Sequence, residues 1–162
     1  MLYDGGMATE WLHGNEELAW RGLHRIRQEL MGHLDRNLMA NCGLSASEYE
    51  LLVALTEAPT RRMRFRELCV RVGWDRSRLS RQLQRMEKRG FLTREDCSDD
   101  ARGVDVVVTK AGLAAIESAA PIQLEAVRHC FVEPLTEQQL ATLAEIAAAI
   151  SAHFASSHSR DD

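Results

Sequence analysis

The sequence predicts a mainly α-helical fold with one small β-hairpin. Apolar residues recur at spacings of three to five along much of the 162-residue chain, a pattern typical of amphipathic helices. Two short β-compatible runs, FLTRED and VDVVVT, are joined by the polar segment CSDDARG. A hydrophobic content of 45% and a charged content of 27% indicate a globular chain, long enough for one domain or two small subdomains sharing a core.

The first half of the chain predicts two helices separated by a clear break. Leucine and isoleucine spacing over residues 16–40 fits one long amphipathic helix, which the segment NCG ends. The following SASE is a capping box, in which Ser45 accepts from the amide of Glu48 while Glu48 reaches back to the amide of Ser45. A second helix is therefore expected from this point to about Thr56.

A short helix is predicted over residues 66–72, and Gly73 stops it. Asp75 is then a good N-cap for a second, strongly basic helix within residues 75–90, because a carboxylate complements a helix N-terminus. On a helical wheel the apolar and basic residues of this basic helix separate. One side holds Leu79, Leu83 and Met86, and the other holds Ser77, Arg78, Arg81 and Arg85.

The last third predicts two further helices. Residues 110–131 form the first, and Pro121 should kink or interrupt it because its ring removes a donor and clashes with the preceding turn. The second starts at Thr136 with another capping box, TEQQ. Two helices joined by the tight turn GWDR and followed by a β-hairpin form a winged helix-turn-helix, whose second helix enters the major groove of DNA.

Charge is distributed very unevenly along the chain. Residues 61–94 contain twelve basic and three acidic side chains, a formal charge of +9, whereas the whole chain carries −4 and the remainder therefore −13. This split favours a basic working face on an acidic body, as expected of a protein that binds a polyanion. A solvated charged surface is the alternative, although such surfaces usually mix both signs.

Three stretches resemble the MarR family of bacterial transcriptional regulators. GLSASEYELLVAL is similar to the family's second helix, DRSRLSRQLQRMEKRGFLTRE to its recognition helix and first wing strand, and DDARGVDVVVTKAG to its wing and the entry into the next helix. The family's D-x-R wing pattern is matched by Asp100 and Arg102. The resemblance implies a homodimer, with a helical dimerisation domain from residues 1–41 and 110–162 and a winged helix-turn-helix DNA-binding domain from residues 42–109.

The predicted partner is double-stranded DNA, bound at a pseudo-palindromic operator. The expected groove-facing set is Ser77, Arg78, Arg81 and Arg85, with Arg76 and Gln82 at its edges. Arginine can bond O6 and N7 of guanine with two hydrogen bonds, and glutamine can do the same at adenine. Residues near the helix start reach base edges most easily, so Arg85 is expected on phosphate. Phosphate contacts are also expected from Arg62, Arg64 and Arg66.

The resemblance implies two further features. Arg102 corresponds to the wing arginine that enters the flanking minor groove, with Asp100 holding its guanidinium. A small-molecule effector would bind in a cleft between the dimer helices and the winged domain, where Trp20 and His24 are candidate lining residues, although core or interface positions are the alternative. No cofactor and no metal are expected, since the six histidines include no HxxxH or HExxH pair.

The sequence leaves two alternatives to a ligand-responsive repressor, a protein-interaction module and a redox-sensing regulator. A winged helix can also serve as a protein-interaction module, but the charge of residues 61–94 argues against it. The four cysteines are expected to be reduced thiols, and residues 1–41 lack the cysteine typical of the family's peroxide sensors; Cys42 is the nearest redox candidate. No common catalytic motif, secretory signal or apolar run of about 18 residues is found, so we expect a cytosolic protein that is not an enzyme.

Overall fold

The computed structural model describes residues 12–96 and 103–158. Within them lie six α-helices, a π-helical segment and three short strands. In chain order these are α1 (Asn15–Cys42), α2 (Ala46–Thr56), β1 (Arg62–Arg64), α3 (Phe65–Val72), α4 (Arg76–Lys88), β2 (Leu92–Asp96), β3 (Val104–Val108), α5 (Lys110–Val127), the π-helical segment (Arg128–Val132) and α6 (Glu137–His158). The mainly α-helical fold with a β-hairpin wing is therefore confirmed.

The chain divides into two compact units, Met1–His33 and Leu34–Asp162. The described part of the first unit consists largely of the beginning of α1, where the large apolar side chains of Leu18, Leu23 and Ile26 are more than half exposed. Such a row of exposed apolar groups is typical of a helix face that packs against another molecule. The second unit contains the end of α1 and the other helices and strands that the structure describes.

The predicted helix starts of the second unit are confirmed at atomic detail. The Ser45 hydroxyl accepts from the amide of Glu48 at 3.3 Å, and the Glu48 carboxylate accepts from the amide of Ser45 at 2.9 Å. The same reciprocal pair joins Thr136 and Gln139, with hydrogen bonds of 3.2 and 2.9 Å. Each pair satisfies backbone donors that have no partner inside the helix.

The sheet has one more strand than the sequence predicts. β3 lies in the centre and pairs antiparallel with both β2 and β1. Strand β1 is only three residues long, RMR, which is too short for a sequence pattern to reveal it. Its strand geometry comes from pairing with distant residues, such as Arg62 with Val107.

A leucine-rich core holds α2, α3, α4, α5 and the sheet together. Its fully buried members come from the predicted apolar side of the basic helix and from α2, α3, α5, β2 and β3: Leu51, Leu52, Leu55, Leu68, Leu79, Leu83, Met86, Leu92, Val106 and Ala119. Because α4 packs one side into this core, its opposite side must face solvent. The core therefore determines which basic residues are available to a partner.

Pro121 was expected to kink or interrupt its helix. Helix α5 continues through Pro121 without an interruption. The missing amide of Pro121 leaves the carbonyl of Glu117 without its helical donor, but Glu117 is exposed and water can satisfy that carbonyl. The alanine-rich segment before Pro121 also favours the helix. None of the described helices is long and apolar enough to cross a membrane.

Candidate nucleic-acid interface

The turn before α4 fixes where the basic helix begins. Gly73 adopts the left-handed conformation, with φ of 66°, and ends α3. Asp75 then caps α4, because its carboxylate accepts from the amide of Arg78 at 2.8 Å and from the hydroxyl of Ser77 at 2.6 Å. The hydrogen bond from Ser77 is the main cause that lowers the pKa of Asp75 below its ordinary value. The cap is therefore ionised at neutral pH, as a helix N-terminus favours.

The exposed side of α4 forms a continuous basic surface. We call it the arginine face; it consists of Ser77, Arg78, Arg81 and Arg85, all of which are exposed. Arg81 lies near the middle of the helix, and its Nε donates to the carbonyl of Ser77 at 3.3 Å. The opposite side of α4 is fully buried through Leu79, Leu83 and Met86. Four of the six predicted recognition-helix residues are thus brought together on one surface. Arg76 is exposed at the first residue of α4, but on the helical wheel it lies about 20° from the buried Leu83.

Gln82 does not belong to this surface, which corrects its predicted place at the edge of the groove-facing set. Its side chain is only 5% exposed, and its amide oxygen accepts from the guanidinium of Arg85. On the helical wheel Gln82 lies about 40° from Met86, on the core side of the boundary. Gln82 is therefore not placed to contact a base, and its hydrogen bond helps to orient Arg85.

Trp74 supports one member of the arginine face. The guanidinium carbon of Arg78 lies 3.9 Å from the centre of the Trp74 ring, and Trp74 itself is only 8% exposed. Glu50 of α2 is a nearby carboxylate: burial raises its pKa, and the charge of Arg78 acts in the opposite direction. Trp74 was not among the site residues predicted from the sequence. Its position four residues before Arg78, across a helix start, was the available signal.

The other end of α4 is anchored by Arg89. Its guanidinium donates to the carboxylate of Glu48 at 2.7 Å and to the carbonyl of Gly43 at 2.9 Å, and it covers the ring of Phe91 at 4.5 Å. Glu48 is buried, whereas the Arg89 side chain is 41% exposed, so water shields this charged pair only on the arginine side. The end of the basic helix is thereby tied to the start of α2, a contact between residues distant in sequence that no local pattern indicates.

The three predicted phosphate-binding arginines lie in different surroundings. The Arg62 guanidinium faces two carboxylates, those of Glu95 and Asp105, the latter at 3.4 Å. Arg64 is half-buried at the end of β1. Arg66 is exposed on α3 beside an open depression of about 450 Å³. Arg66 is consequently the best placed of the three to meet a phosphate.

Comparison with known proteins identifies the family. A model of the MarR family matches residues 43–103. The structure of AbsC, a MarR family transcriptional regulator from Streptomyces coelicolor, is 34% identical and covers 91% of this chain and 99% of its own, with a TM-score of 0.86. The chain belongs to the MarR family of transcriptional regulators.

Two further relatives are a regulator solved with DNA and a transcriptional repressor. The MarR-family regulator Sco3205 from Streptomyces coelicolor, solved in complex with DNA, is 38% identical over 88% of this chain and 90% of its own, with a TM-score of 0.84. YetL of Bacillus subtilis, an HTH-type transcriptional repressor, is 26% identical over 91 residues, which are 56% of this chain and 54% of YetL. The resemblance stated from the sequence is therefore confirmed.

The wing of this MarR-family protein is described only along its strands. β2 and β3 pair from Leu92 with Val108 to Asp96 with Val104. Glu87 of α4 binds Arg94 of β2 at 2.7 Å, and hydrogen bonds from Arg94 lower the pKa of Glu87 below its ordinary value. The wing is thus joined to the recognition helix at its base. The predicted tip residues Asp100 and Arg102, like Cys97, lie outside the described residues.

The predicted effector residues form a pair on α1. The rings of Trp20 and His24 meet edge to face, with centroids 4.7 Å apart, and both side chains are exposed. Cys42, Cys69 and Cys130 are free thiols, each partly buried. Among residues 12–96 and 103–158, no three histidine, cysteine or carboxylate side chains converge into a metal-binding group.

Proposed function

We propose that this MarR-family protein binds a pseudo-palindromic operator in double-stranded DNA as a homodimer and represses transcription from it. The observation that carries the proposal is the arginine face of α4. It is exposed, capped by Asp75 at one end and anchored by Arg89 at the other. A rigid helix with one basic side is the element that winged helix-turn-helix proteins insert into the major groove.

The DNA contact that each residue of the arginine face makes follows from its position along α4. Arg78 and Arg81 lie in the first half of α4, where side chains reach base edges, and each can bond guanine through two parallel N–H groups. Arg85 lies one turn further on and is assigned to phosphate, with Gln82 holding its guanidinium. Arg66 contributes a phosphate contact from α3, and Arg102 a minor-groove contact from the wing. That Sco3205, at 38% identity, was solved in complex with DNA supports DNA as the partner of this surface.

Dimerisation is proposed from apolar surface that a single chain leaves exposed. On α6, Leu143, Ile146, Ile150 and Phe154 recur at spacings of three and four and are all at least 38% exposed. A contiguous stripe of this kind marks a protein–protein contact. A two-fold dimer would present its two copies of α4 to half-sites about 10 bp apart, which is why the operator is expected to be pseudo-palindromic.

The protein would repress transcription and respond to a small-molecule effector. The name of YetL, a repressor, supports repression, which would follow when a bound dimer occludes a promoter. The exposed edge-to-face pair of Trp20 and His24 would line the site of a small-molecule effector that lowers DNA affinity. An aromatic ring with an adjacent imidazole suits a planar ligand that carries a hydrogen-bonding group.

Selection from random DNA duplexes tests the DNA-binding proposal. We expect purified protein to enrich one pseudo-palindromic sequence, and binding to that duplex to weaken steeply as salt concentration rises. Arg81→Glu should abolish the enrichment, because the reversed charge faces phosphates and base edges while the buried side of α4 is unchanged. If wild type enriches nothing above non-specific binding, or if Arg81→Glu enriches the same sequence, the basic helix serves another polyanion or a protein.

A further inference from the structure

Trp74 is an aromatic residue that the core holds firmly beside the arginine face. It lies in the hydrophobic core, its amide donates to the carbonyl of Cys69 at 3.1 Å, and it directly precedes the cap residue Asp75. Its ring therefore has little freedom to move relative to the start of α4. The guanidinium carbon of Arg78 is held 3.9 Å from the ring centre.

This contact leaves the hydrogen-bonding edge of Arg78 available. A guanidinium that covers an aromatic face uses its flat surface, whereas its N–H donors lie in its own plane and point away from the contact. Recognition of guanine needs two of those in-plane donors side by side. Arg78 is thus held without losing the atoms that would read a base.

The other members of the arginine face are held differently. Arg81 bonds the carbonyl of Ser77, and Arg85 bonds the amide oxygen of Gln82, so each uses N–H donors within α4 itself. In the part of the chain that the structure describes, Arg78 is the member of this face that packs on a ring. The nearby carboxylate of Glu50 adds an attraction from α2.

We propose that Trp74 is a positioning residue for operator recognition: it orders Arg78 before DNA binds and thereby sets the preference for one base pair in each half-site. Restricting a long side chain in advance lowers the entropy that binding must remove. Trp74 acts through Arg78 and makes no DNA contact of its own. The inference rests on the proposed operator binding.

A double-mutant cycle tests the inference, using wild type, Trp74→Leu, Arg78→Ala and the double variant. Leucine keeps an apolar side chain in the core but removes the ring face. Affinities are measured at one salt concentration for the duplex enriched by wild type, for single base-pair variants of it, and for a scrambled duplex. We expect Trp74→Leu to lower operator affinity about 5- to 10-fold, to lose preference at the base pair that Arg78→Ala also relaxes, and to leave scrambled-duplex binding unchanged.

The decisive comparison is made in the Arg78→Ala background. There Trp74→Leu should change operator affinity less than about twofold, because the partner through which Trp74 acts is gone. An equal loss in both backgrounds, or an equal loss on the scrambled duplex, would show a merely structural role and overturn the inference alone. If wild type itself enriches no operator, the proposed function fails together with it.

A second pair of variants covers the case in which Trp74→Leu does not fold, as judged by its circular dichroism spectrum. Trp74→Phe keeps a smaller ring, and Arg78→Lys keeps the charge but lacks the planar fork. The same cycle with these two changes should show a smaller coupling of the same sign at the same base pair. Independent effects of the two substitutions would again overturn the inference.

Discussion

Replacing Gly112 with alanine is expected to destabilise the protein by about 2–3 kcal/mol, although the same change inside most helices is stabilising. Gly112 lies in the first turn of α5, where a Cβ atom would meet the carbonyl oxygen of Phe91 at 2.1 Å and the Cγ2 of Val108 at 2.8 Å. The first of these obstacles is backbone and cannot rotate away. The clash therefore outweighs the gain in helix propensity.

The position is constrained because several hydrogen bonds meet there. The amide of Thr109 donates to the carbonyl of Phe91 at 3.0 Å, the hydroxyl of Thr109 donates to the carbonyl of Gly90 at 2.6 Å, and the same hydroxyl accepts from the amide of Gly112 at 3.1 Å. These bonds join the start of α5 to the segment that follows the recognition helix. Movement of Phe91 to admit a methyl group would break them.

Urea unfolding of wild type and Gly112→Ala at one protein concentration measures the effect. Ala114→Gly is the matched control, since Ala114 is exposed on the same helix and should lose only about 1 kcal/mol through helix propensity. Gly112→Ala should thus be less stable than Ala114→Gly. A Gly112→Ala protein as stable as wild type would contradict the close approach of Phe91 to α5.

Introducing charge into the apolar stripe of α6 is expected to convert the proposed homodimer into monomers. Ile146 and Ile150 are 50% and 48% exposed in the single chain, and burying such a side chain contributes about 1.5–3 kcal/mol. The pair Ile146→Glu and Ile150→Glu removes that burial and places like charges near one another in the dimer. Operator affinity should then fall about 100-fold or more, because two linked half-site contacts become independent.

Sedimentation analysis gives the direct measurement, with wild type expected at twice the chain mass of 18.2 kDa. Ala148→Glu with Ala152→Glu is the matched control: it adds the same charges at the same spacing on the opposite side of α6. The control should remain dimeric. Monomeric wild type, or a dimer that survives the Ile146 and Ile150 substitutions, would place the interface elsewhere.

Local patterns in the sequence were enough to predict every long helix and the hairpin of the wing. Capping residues such as Ser45, Asp75 and Thr136 act on amides three residues away, so a short stretch of sequence contains both partners. The buried side of α4 was predicted for the same reason, because helical periodicity depends only on neighbouring residues.

What the sequence did not predict depends on contacts between distant residues. Strand β1 exists through pairing with β3, and Glu48, predicted only as a capping residue, also binds Arg89 across 41 positions. The prediction for Gln82 was wrong because this residue lies at the boundary between the buried and exposed sides of α4. There a small difference in angle on the helical wheel decides whether a side chain is buried. Trp74 was missed for a different reason. It lies only four residues from Arg78, but packing in the core decides that its ring faces α4.

The most direct test of the account is the base preference of Arg81→Ala, measured at each position of the wild-type operator, with Lys88→Ala as control. Lys88 is exposed at the end of the same helix, beyond the part expected to reach base edges. Arg81→Ala should lower affinity about 10-fold or more and relax preference at a central position of each half-site, whereas Lys88→Ala should weaken all sequences alike. If Arg81→Ala also weakens all sequences alike, the arginine face binds phosphate only and does not read the operator.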